Sequence, residues 1–275
     1  MTNLVYRYAN ASTFLSMLHS QELWFTDLRQ MNDWNEYEAG FRIASEIIAC
    51  DFPELTAAIE AISPDKMDPY FMILICSFGS LGDCLSMWRG YGDNCYGAAI
   101  GYDPKKIQDH CMFGRYLTKR NPISGKVLFL PVIYDDQAYR SMLRQYIQSA
   151  SNQLKNLSGE DANVHAAVHT RTLKIALMRL CTLYKDHFFA DEREIRGFIE
   201  INAEVDPYKL QVRQSEFGEA TYHRLDTNFQ NVRAIEEVVL GPLCTLTEME
   251  VRNKLVENGL DGVVIRRSRG AGAYR

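Results

Sequence analysis

The sequence predicts an α+β protein that folds as a single domain over residues 1–275. Short apolar runs of strand length lie on both sides of two long helical patterns, which cover about residues 136–156 and 163–185. No internal repeat, low-complexity stretch or linker-like composition divides the chain. We therefore expect a sheet with flanking helices, into which a helical pair is inserted over about residues 136–187.

Composition limits the class of protein. With 47% hydrophobic and 24% charged residues, the 275-residue chain is long enough to bury a large core. The net charge of -5 argues against broad electrostatic binding to nucleic acid or to anionic membranes. The seven cysteines are odd in number and typical of a reducing compartment. Because no signal-peptide pattern or membrane-length apolar run is present, we expect a cytoplasmic protein without a membrane partner.

Apolar periodicity predicts the elements of the first half of the chain. A short strand over residues 4–8 precedes an amphipathic helix, and a second strand covers residues 23–26. A long helix is expected from about 38 to 62. Residues 71–78 form a continuous apolar run, which is typical of a central strand covered on both faces.

The second half combines turn, cap and strand signals. A short helix is expected over residues 84–88, and Thr245 with Glu248 has the spacing of a capping box for a helix that Gly259 would end. Pro131 places its strand near an edge of the sheet or at a bulge. Further strands are expected over residues 96–102, 127–134, 191–201, 221–225, 237–242 and 262–266.

The strand expected over residues 191–201 has a charged beginning and an apolar, β-branched end. Strand alternation would place Glu192, Glu194 and Arg196 on one face. Two adjacent carboxylates repel each other, so one of them should resist ionisation unless a partner compensates. Two interpretations follow: a catalytic or substrate-positioning carboxylate pair, or a solvated strand edge with Arg196 as the local counter-charge.

Two other motifs favour structural roles. The glycine-rich stretch from Gly90 to Gly97 precedes a strand, whereas a dinucleotide-binding loop must follow a strand and open a helix. His165 and His169 have the spacing for metal binding on a helix, but a neighbouring glutamate and a third ligand are missing. We therefore expect no metal site.

A set of dispersed polar and aromatic residues suggests a ligand cleft. Arg7 would suit a phosphate group, the segment from Trp88 to Tyr91 would suit a base or nicotinamide ring, and a late carboxylate would suit a developing cation. Ser77 ends the central strand. Each residue also has a structural explanation as an edge charge, a core hydroxyl or a packing aromatic.

Several motifs, taken in order, resemble a bacterial family of domains of unknown function, over nearly the whole chain. They include Tyr6-Arg7-Tyr8, Cys76-Ser77-Phe78, Met87-Trp88 with Tyr91, and Glu192-x-Glu194-x-Arg196. The order of an arginine, a serine at a strand end and a Glu-x-Glu motif also resembles the ADP-ribosyltransferase superfamily of the Arg-Ser-Glu type. This resemblance implies a split mixed or antiparallel sheet with a cleft that binds NAD.

By the same resemblance, Arg7 would bind the phosphates or ribose of NAD, and Tyr8 would belong to the same NAD-binding site. Ser77 would brace the catalytic glutamate, and Trp88 or Tyr91 would stack on nicotinamide.

The two glutamates would then have different roles. Glu194 would stabilise the cation that forms as nicotinamide leaves, Glu192 would orient the acceptor, and Arg196 would balance the charge. Because NAD cleavage passes through a sugar cation, a fixed carboxylate would accelerate it.

The expected function is therefore that of an NAD-dependent ADP-ribosyltransferase or NAD glycohydrolase. The resemblance further implies a bacterial toxin or anti-phage defence effector that modifies a protein or nucleic acid. Two alternatives remain open at this point: a nucleotide-binding sensor without turnover, and a nuclease in which Glu192 and Glu194 hold a divalent metal ion.

Overall fold

The computed structural model describes residues 4–30, 34–67, 71–109, 127–157, 162–202, 210–215, 218–229 and 232–273. The strands are β1 (Val5–Ala9), β2 (Glu22–Asp27), β3 (Phe71–Gly79), β4 (Ala98–Tyr102), β5 (Leu128–Pro131), β6 (Glu194–Asn202), β7 (Leu210–Ser215), β8 (Gly218–Asp226), β9 (Asn228–Phe229), β10 (Val232–Arg233), β11 (Ile235–Leu240) and β12 (Val264–Arg267). The helices whose two ends both lie within the described residues are α1 (Ala11–Ser20), α2 (Trp34–Asp51), α3 (Thr56–Glu60), α4 (Leu85–Gly90), α5 (Asp136–Lys155), α6 (Ala162–Cys181) and α7 (Glu248–Glu257).

Ten of these strands form one open, mixed sheet. Its order is β12-β11-β4-β1-β3-β2-β8-β7, while β6 pairs with the other edge of β3 and β5 pairs with β6. The pair β11–β12 is parallel, and the other described pairs of this sheet are antiparallel. The expected α+β class with a mixed sheet and flanking helices is confirmed.

The sheet divides at β3. Along one edge, β6 pairs with the whole of β3, from Phe71 to Gly79. On the opposite edge, β1 pairs with β3 only at Gly79, whereas β2 pairs with it at Leu74 and Ile75. The two strands therefore leave β3 at different ends, with residues 76–78 between them.

The core lies on both faces of β3. Leu74 and Cys76 point into a cluster with α1 and α7, whereas Ile73 and Ile75 point into a cluster with α2, α3, α5 and α6. This arrangement confirms the prediction of a central strand covered on both faces. The paired helices α5 and α6 are also confirmed, and they lie between the neighbouring strands β5 and β6 in the chain.

The helix predicted from about 38 to 62 is divided. It consists of α2, a 3₁₀ turn over Pro53–Leu55, and α3. Pro53 has no backbone N–H and disfavours helical geometry at the residue before it. Phe52 accordingly has φ -142° and ψ 56°, which is outside the helical region.

The capping box of the last long helix is shifted by two residues from the prediction. Thr247 is the N-cap, and its side chain and that of Glu250 exchange hydrogen bonds with each other's backbone N–H. The box at Thr245 and Glu248 is therefore wrong. Gly259 follows the helix end with φ 68°, a left-handed conformation that favours glycine.

The strand predicted over residues 191–201 begins later, at Glu194. Glu192 instead ends a 3₁₀ turn that starts at His187 and is capped by the carboxylate of Asp186. Arg193 then takes a left-handed conformation with φ 45°. Strand alternation therefore does not place Glu192 beside Glu194, and their proximity depends on side chains from other elements.

Candidate functional site

Five charged side chains meet at the end of β3 and β6, on the sheet face covered by α2 and α6. We call this group the charge cluster. Its members come from α2, from the segment after α6, from the 3₁₀ turn and from β6: Glu36, Lys185, Glu192, Glu194 and Arg196.

Arg196 is the most buried member, with 2% of its surface exposed. Its Nε donates to Glu194 Oε1 at 2.8 Å and its Nη2 donates to Glu194 Oε2 at 3.1 Å, which is a bidentate pair. Nη2 also contacts the carboxylate of Glu36, and Nη1 donates to the carbonyl oxygen of Thr182. The guanidinium thus ties β6 to α2 and to the end of α6.

Lys185 links all three carboxylates. Its Nζ lies 2.7 Å from Glu192 Oε2, 3.1 Å from Glu36 Oε1 and 3.3 Å from Glu194 Oε2. Burial disfavours the charged form of this lysine, but Glu194, Glu192 and Glu36 together raise its pKa. With three carboxylates and two cations, the charge cluster carries a net charge of about -1.

Glu194 stays ionised despite its burial. Burial alone would raise its pKa, but the charge and hydrogen bonds of Arg196 act against it, with help from Lys185 and from a hydrogen bond with Ser77. The resulting pKa is about 2, lowered from 4.5. Both carboxylate oxygens already have cationic partners.

Glu192 lies at the accessible end of the charge cluster. Its side chain is 16% exposed, compared with 8% for Glu194. Its Oε1 accepts a hydrogen bond of 3.1 Å from the hydroxyl of Tyr91, which is 52% exposed. Partial burial and the Glu192 carboxylate raise the pKa of Tyr91 to about 12, so the phenol remains a donor. Tyr91 and Glu192 therefore form the mouth of the cluster.

Tyr8 and Trp88 lie apart from this mouth. Trp88 is buried, its Nε1 donates to Asp83 at 2.8 Å, and its ring packs edge-on against Tyr8 at 4.6 Å. The hydroxyl of Tyr8 donates to the carbonyl oxygen of Leu81. Both rings belong to a small core cluster that supports α4.

Arg7 also lies outside the charge cluster. It shares a face of β1 with Val5 and Ala9, and its Nη1 donates to the carbonyl oxygen of Ser77 at 2.8 Å. The guanidinium thus supplies a hydrogen-bond donor to a backbone carbonyl of β3 in the segment that neither β1 nor β2 pairs with. Ser77 connects the two regions, since its hydroxyl bonds Glu194 and its carbonyl accepts from Arg7.

Of the eight residues singled out in the sequence, the structure brings five together: Ser77, Tyr91, Glu192, Glu194 and Arg196. Sequence reasoning missed Glu36, Lys185 and Tyr134, whose hydroxyl accepts from the backbone N–H of Glu194 at 2.9 Å. No local motif marks these three residues, because they lie far apart in the sequence: Glu36 in α2, Tyr134 in the segment after β5 and Lys185 in the segment after α6.

Among the residues that the structure describes, no three His, Cys, Asp or Glu side chains are placed to share a metal ion. The cluster carboxylates pair with Lys185 and Arg196 instead. None of the described helices combines the length and the apolar character needed to cross a bilayer.

The fold and the charge cluster define an α+β protein with a buried ionic site at the end of its central strands. Residues 87–197, less than half of the chain, match a family described as "Protein of unknown function (DUF2971)". The matched segment begins at Met87 in α4 and ends at Gly197, so it contains Tyr91, Lys185 and both Glu192 and Glu194. Similarity to a family of unknown function is thus found for this segment.

No curated protein and no solved structure matches the chain.

Proposed function

We propose that the charge cluster cleaves NAD, as an ADP-ribosyltransferase or an NAD glycohydrolase. The observation that carries this proposal is the excess of one negative charge in a buried network whose accessible member is Glu192. Loss of nicotinamide from NAD generates a sugar cation, and a preorganised carboxylate stabilises that cation more in the transition state than in the ground state.

The contacts favour Glu192 for the role that the resemblance gives to Glu194. Both oxygens of Glu194 are engaged by Arg196 and Lys185, so its carboxylate holds the two cations in place. Glu192, in contrast, has Lys185 as its cationic partner on one oxygen, and its second oxygen accepts from the hydroxyl of the exposed Tyr91. In this proposal Glu192 faces the developing cation, and the ring of Tyr91 packs against nicotinamide.

Ser77 and Arg196 would support the reaction through Glu194. The hydroxyl of Ser77 and the guanidinium of Arg196 both bond that carboxylate. Arg7 would act from the gap between β1 and β2, where its contacts to Ser77 fix the edge of β3. A role as a bacterial toxin or defence effector, with a protein or nucleic acid as the acceptor, is proposed from the resemblance alone.

The test compares nicotinamide release by the wild-type chain with that of Glu192→Gln. We expect the variant to lose about a hundredfold or more of the rate, by analogy with the deletion of a single oxyanion donor. Glu200→Gln is the matched control, since Glu200 is also an ion-paired glutamate, on β6 beside Arg179 at 2.8 Å. Equal release by the wild type and Glu192→Gln would refute the assignment of Glu192.

Transfer and hydrolysis are separated by the fate of ADP-ribose. With NAD labelled in the adenylate moiety, incubation with a cell lysate places label in macromolecules if the enzyme is a transferase. Free ADP-ribose as the sole product indicates a glycohydrolase. If no nicotinamide is released in either assay, the enzymatic proposal fails.

A second candidate is a nucleotide sensor without turnover. The saturated bonding of Glu194 favours it, because a carboxylate with cationic partners on both oxygens suits a rigid binding site. This function predicts saturable NAD binding by calorimetry with no release of nicotinamide. No contact in the described part of the chain specifically favours the metal-dependent nuclease.

A further inference from the structure

A second group of residues with binding chemistry lies on the outer part of the sheet, away from the charge cluster. Trp24 on β2 and Tyr222 on β8 have ring centroids 4.7 Å apart. The guanidinium carbon of Arg213 on β7 lies 5.4 Å from the ring centroid of Trp24, and that of Arg224 on β8 lies 5.5 Å from it. We call these four side chains the Trp24 ladder.

The strand registers explain why the ladder forms. Trp24 lies directly opposite Arg224, and Thr26 lies opposite Tyr222, so these side chains share one face of the sheet. Arg213, from the outer strand β7, reaches across Tyr222 and donates to the hydroxyl of Thr26 at 3.3 Å. The ladder thus spans three neighbouring strands.

The ladder combines an exposed aromatic ring with two arginines whose charges are incompletely paired. Trp24 is 40% exposed in the middle of a strand. Among the described residues, the side chain of Arg213 bonds the hydroxyl of Thr26 and packs on the two rings, while its Nε is buried without a hydrogen-bond partner. Arg224 approaches the carboxylate of Glu22 only to 3.8 Å. These features differ from the charge cluster, where each charged group has a close partner.

We propose that the Trp24 ladder binds single-stranded nucleic acid. The exposed ring of Trp24 can accept a base by stacking without regard to sequence, and the arginines beside it can bind the phosphates. Tyr222, which is only 4% exposed, supports Trp24 and does not itself face the ligand. Because the whole chain carries a net charge of -5, such binding has to come from a local surface. The inference does not depend on the reaction proposed for the charge cluster.

The arrangement also predicts where the base and the phosphate of a bound nucleotide lie on the ladder. The carboxylate of Glu22 accepts from the Nε1 of Trp24 at 3.4 Å and therefore makes one end of the ladder less favourable for phosphate. Arg213, which belongs to the outer strand β7, lies at the other end, near Thr26. We expect a base on Trp24 and its phosphate near Arg213.

Fluorescence anisotropy of a labelled oligothymidylate of eight nucleotides, titrated with the full chain, tests this proposal. Trp24→Ala should weaken binding about tenfold, which is within the stacking energy of one base. Arg213→Gln should weaken binding by a similar factor of about ten, because it removes a contact to a phosphate. If two phosphates are neutralised, raising the salt from about 50 to about 200 mM should weaken wild-type binding about sevenfold. Thermal melting shows whether both variants are folded. If Trp24→Ala does not fold, Arg213→Gln alone tests the proposal.

The matched controls are an arginine and an exposed aromatic residue elsewhere. Arg233→Gln removes a guanidinium that pairs with Asp261, and Phe188→Ala removes an exposed ring near the charge cluster. Both should bind the oligonucleotide like the wild type. The proposal is overturned if wild-type binding is absent, if the controls lose as much affinity as the ladder variants, or if thymidine monophosphate competes as well as the oligonucleotide.

Discussion

Ser77 separates two regions in which an arginine is held in very different ways. On one face of β3, Arg196 is surrounded by carboxylates, with two bonds to Glu194 and one to Glu36. On the other face, Arg7 has a backbone carbonyl, the sulfur of Cys76 at 3.4 Å and the ring of Phe78 as neighbours. The first arginine is neutralised by its partners, and the second fills a gap in the sheet.

The difference shows what each region can tolerate. A buried ion network is costly to break, because the removal of one charge leaves another unpaired in a medium of low dielectric constant. A guanidinium that bonds a carbonyl can be removed at the cost of a hydrogen bond and some packing. Mutations in the charge cluster should therefore lower the free energy of unfolding more than mutations of Arg7 and its neighbours do.

The largest effect is expected for Arg196→Met. It removes the bidentate partner of Glu194 and the contact to Glu36, so two carboxylates lose a buried cation. We expect the free energy of unfolding to fall by about 3–5 kcal/mol. Urea denaturation followed by circular dichroism measures this change.

Arg140→Met is the control for this substitution. Arg140 pairs with Glu46 and Asp136 on the surface of α5, and a surface ion pair contributes about 1 kcal/mol or less. If the two variants lost the same free energy of unfolding, burial would not explain how much the charge cluster contributes to stability.

Glu194 makes the cluster sensitive to acid. Its pKa is about 2 in the folded protein and 4.5 without the fold, so its contribution is fully present above about pH 4.5 and is lost as the pH falls toward 2. The shift corresponds to an upper value of about 3 kcal/mol. Urea denaturation between pH 2 and pH 7 should show this fall in the wild type and a smaller one in Glu194→Gln.

Glu54→Gln is the control that separates the effect of burial on stability from the effect of a lowered pKa. Hydrogen bonds from Lys155 and Ser151 also lower the pKa of Glu54 to about 2, but this carboxylate is exposed at the surface. Solvent screening should make its contribution smaller than that of Glu194. An equal change in the acid profile of both variants would contradict the comparison.

Sequence periodicity predicted the parts of the fold that depend on neighbouring residues. β3, α5 and α6 follow from apolar patterns, and Gly259 follows from the geometry of a helix end. β7 was missed because it is a polar strand at the end of the sheet, where packing imposes little hydrophobic alternation.

The candidate site was predicted less completely. The prediction that Glu192 and Glu194 share one face of a strand is wrong, because Glu192 lies in the 3₁₀ turn before β6. Both carboxylates instead contact the Nζ of Lys185. Glu36 joins them from α2, and nothing near it in the sequence indicates a partner so distant along the chain. Such contacts are set by how helices pack on a sheet, which a local pattern does not contain.

An intermediate effect is expected for Arg7→Met, which tests the second region. The variant loses the bond to the Ser77 carbonyl at 2.8 Å and leaves that group at the edge of β3 without its partner. The expected loss is about 1–3 kcal/mol by urea denaturation. Arg7→Lys retains the charge without the fork and should lose less. A loss as large as that of Arg196→Met would show that the gap is as important to the fold as the charge cluster.

The smallest effect on stability is expected for Tyr91→Phe, at the mouth of the cluster. The hydroxyl is partly exposed and Lys185 still bonds Glu192, so the loss should be below about 1 kcal/mol. If Glu192 faces the substrate, nicotinamide release should nevertheless fall severalfold, because that carboxylate loses one of its two orienting contacts. Tyr96→Phe, at a similarly exposed tyrosine, should change neither quantity. Wild-type stability combined with wild-type turnover in Tyr91→Phe would separate Tyr91 from the chemistry and leave Lys185 as the group that orients Glu192.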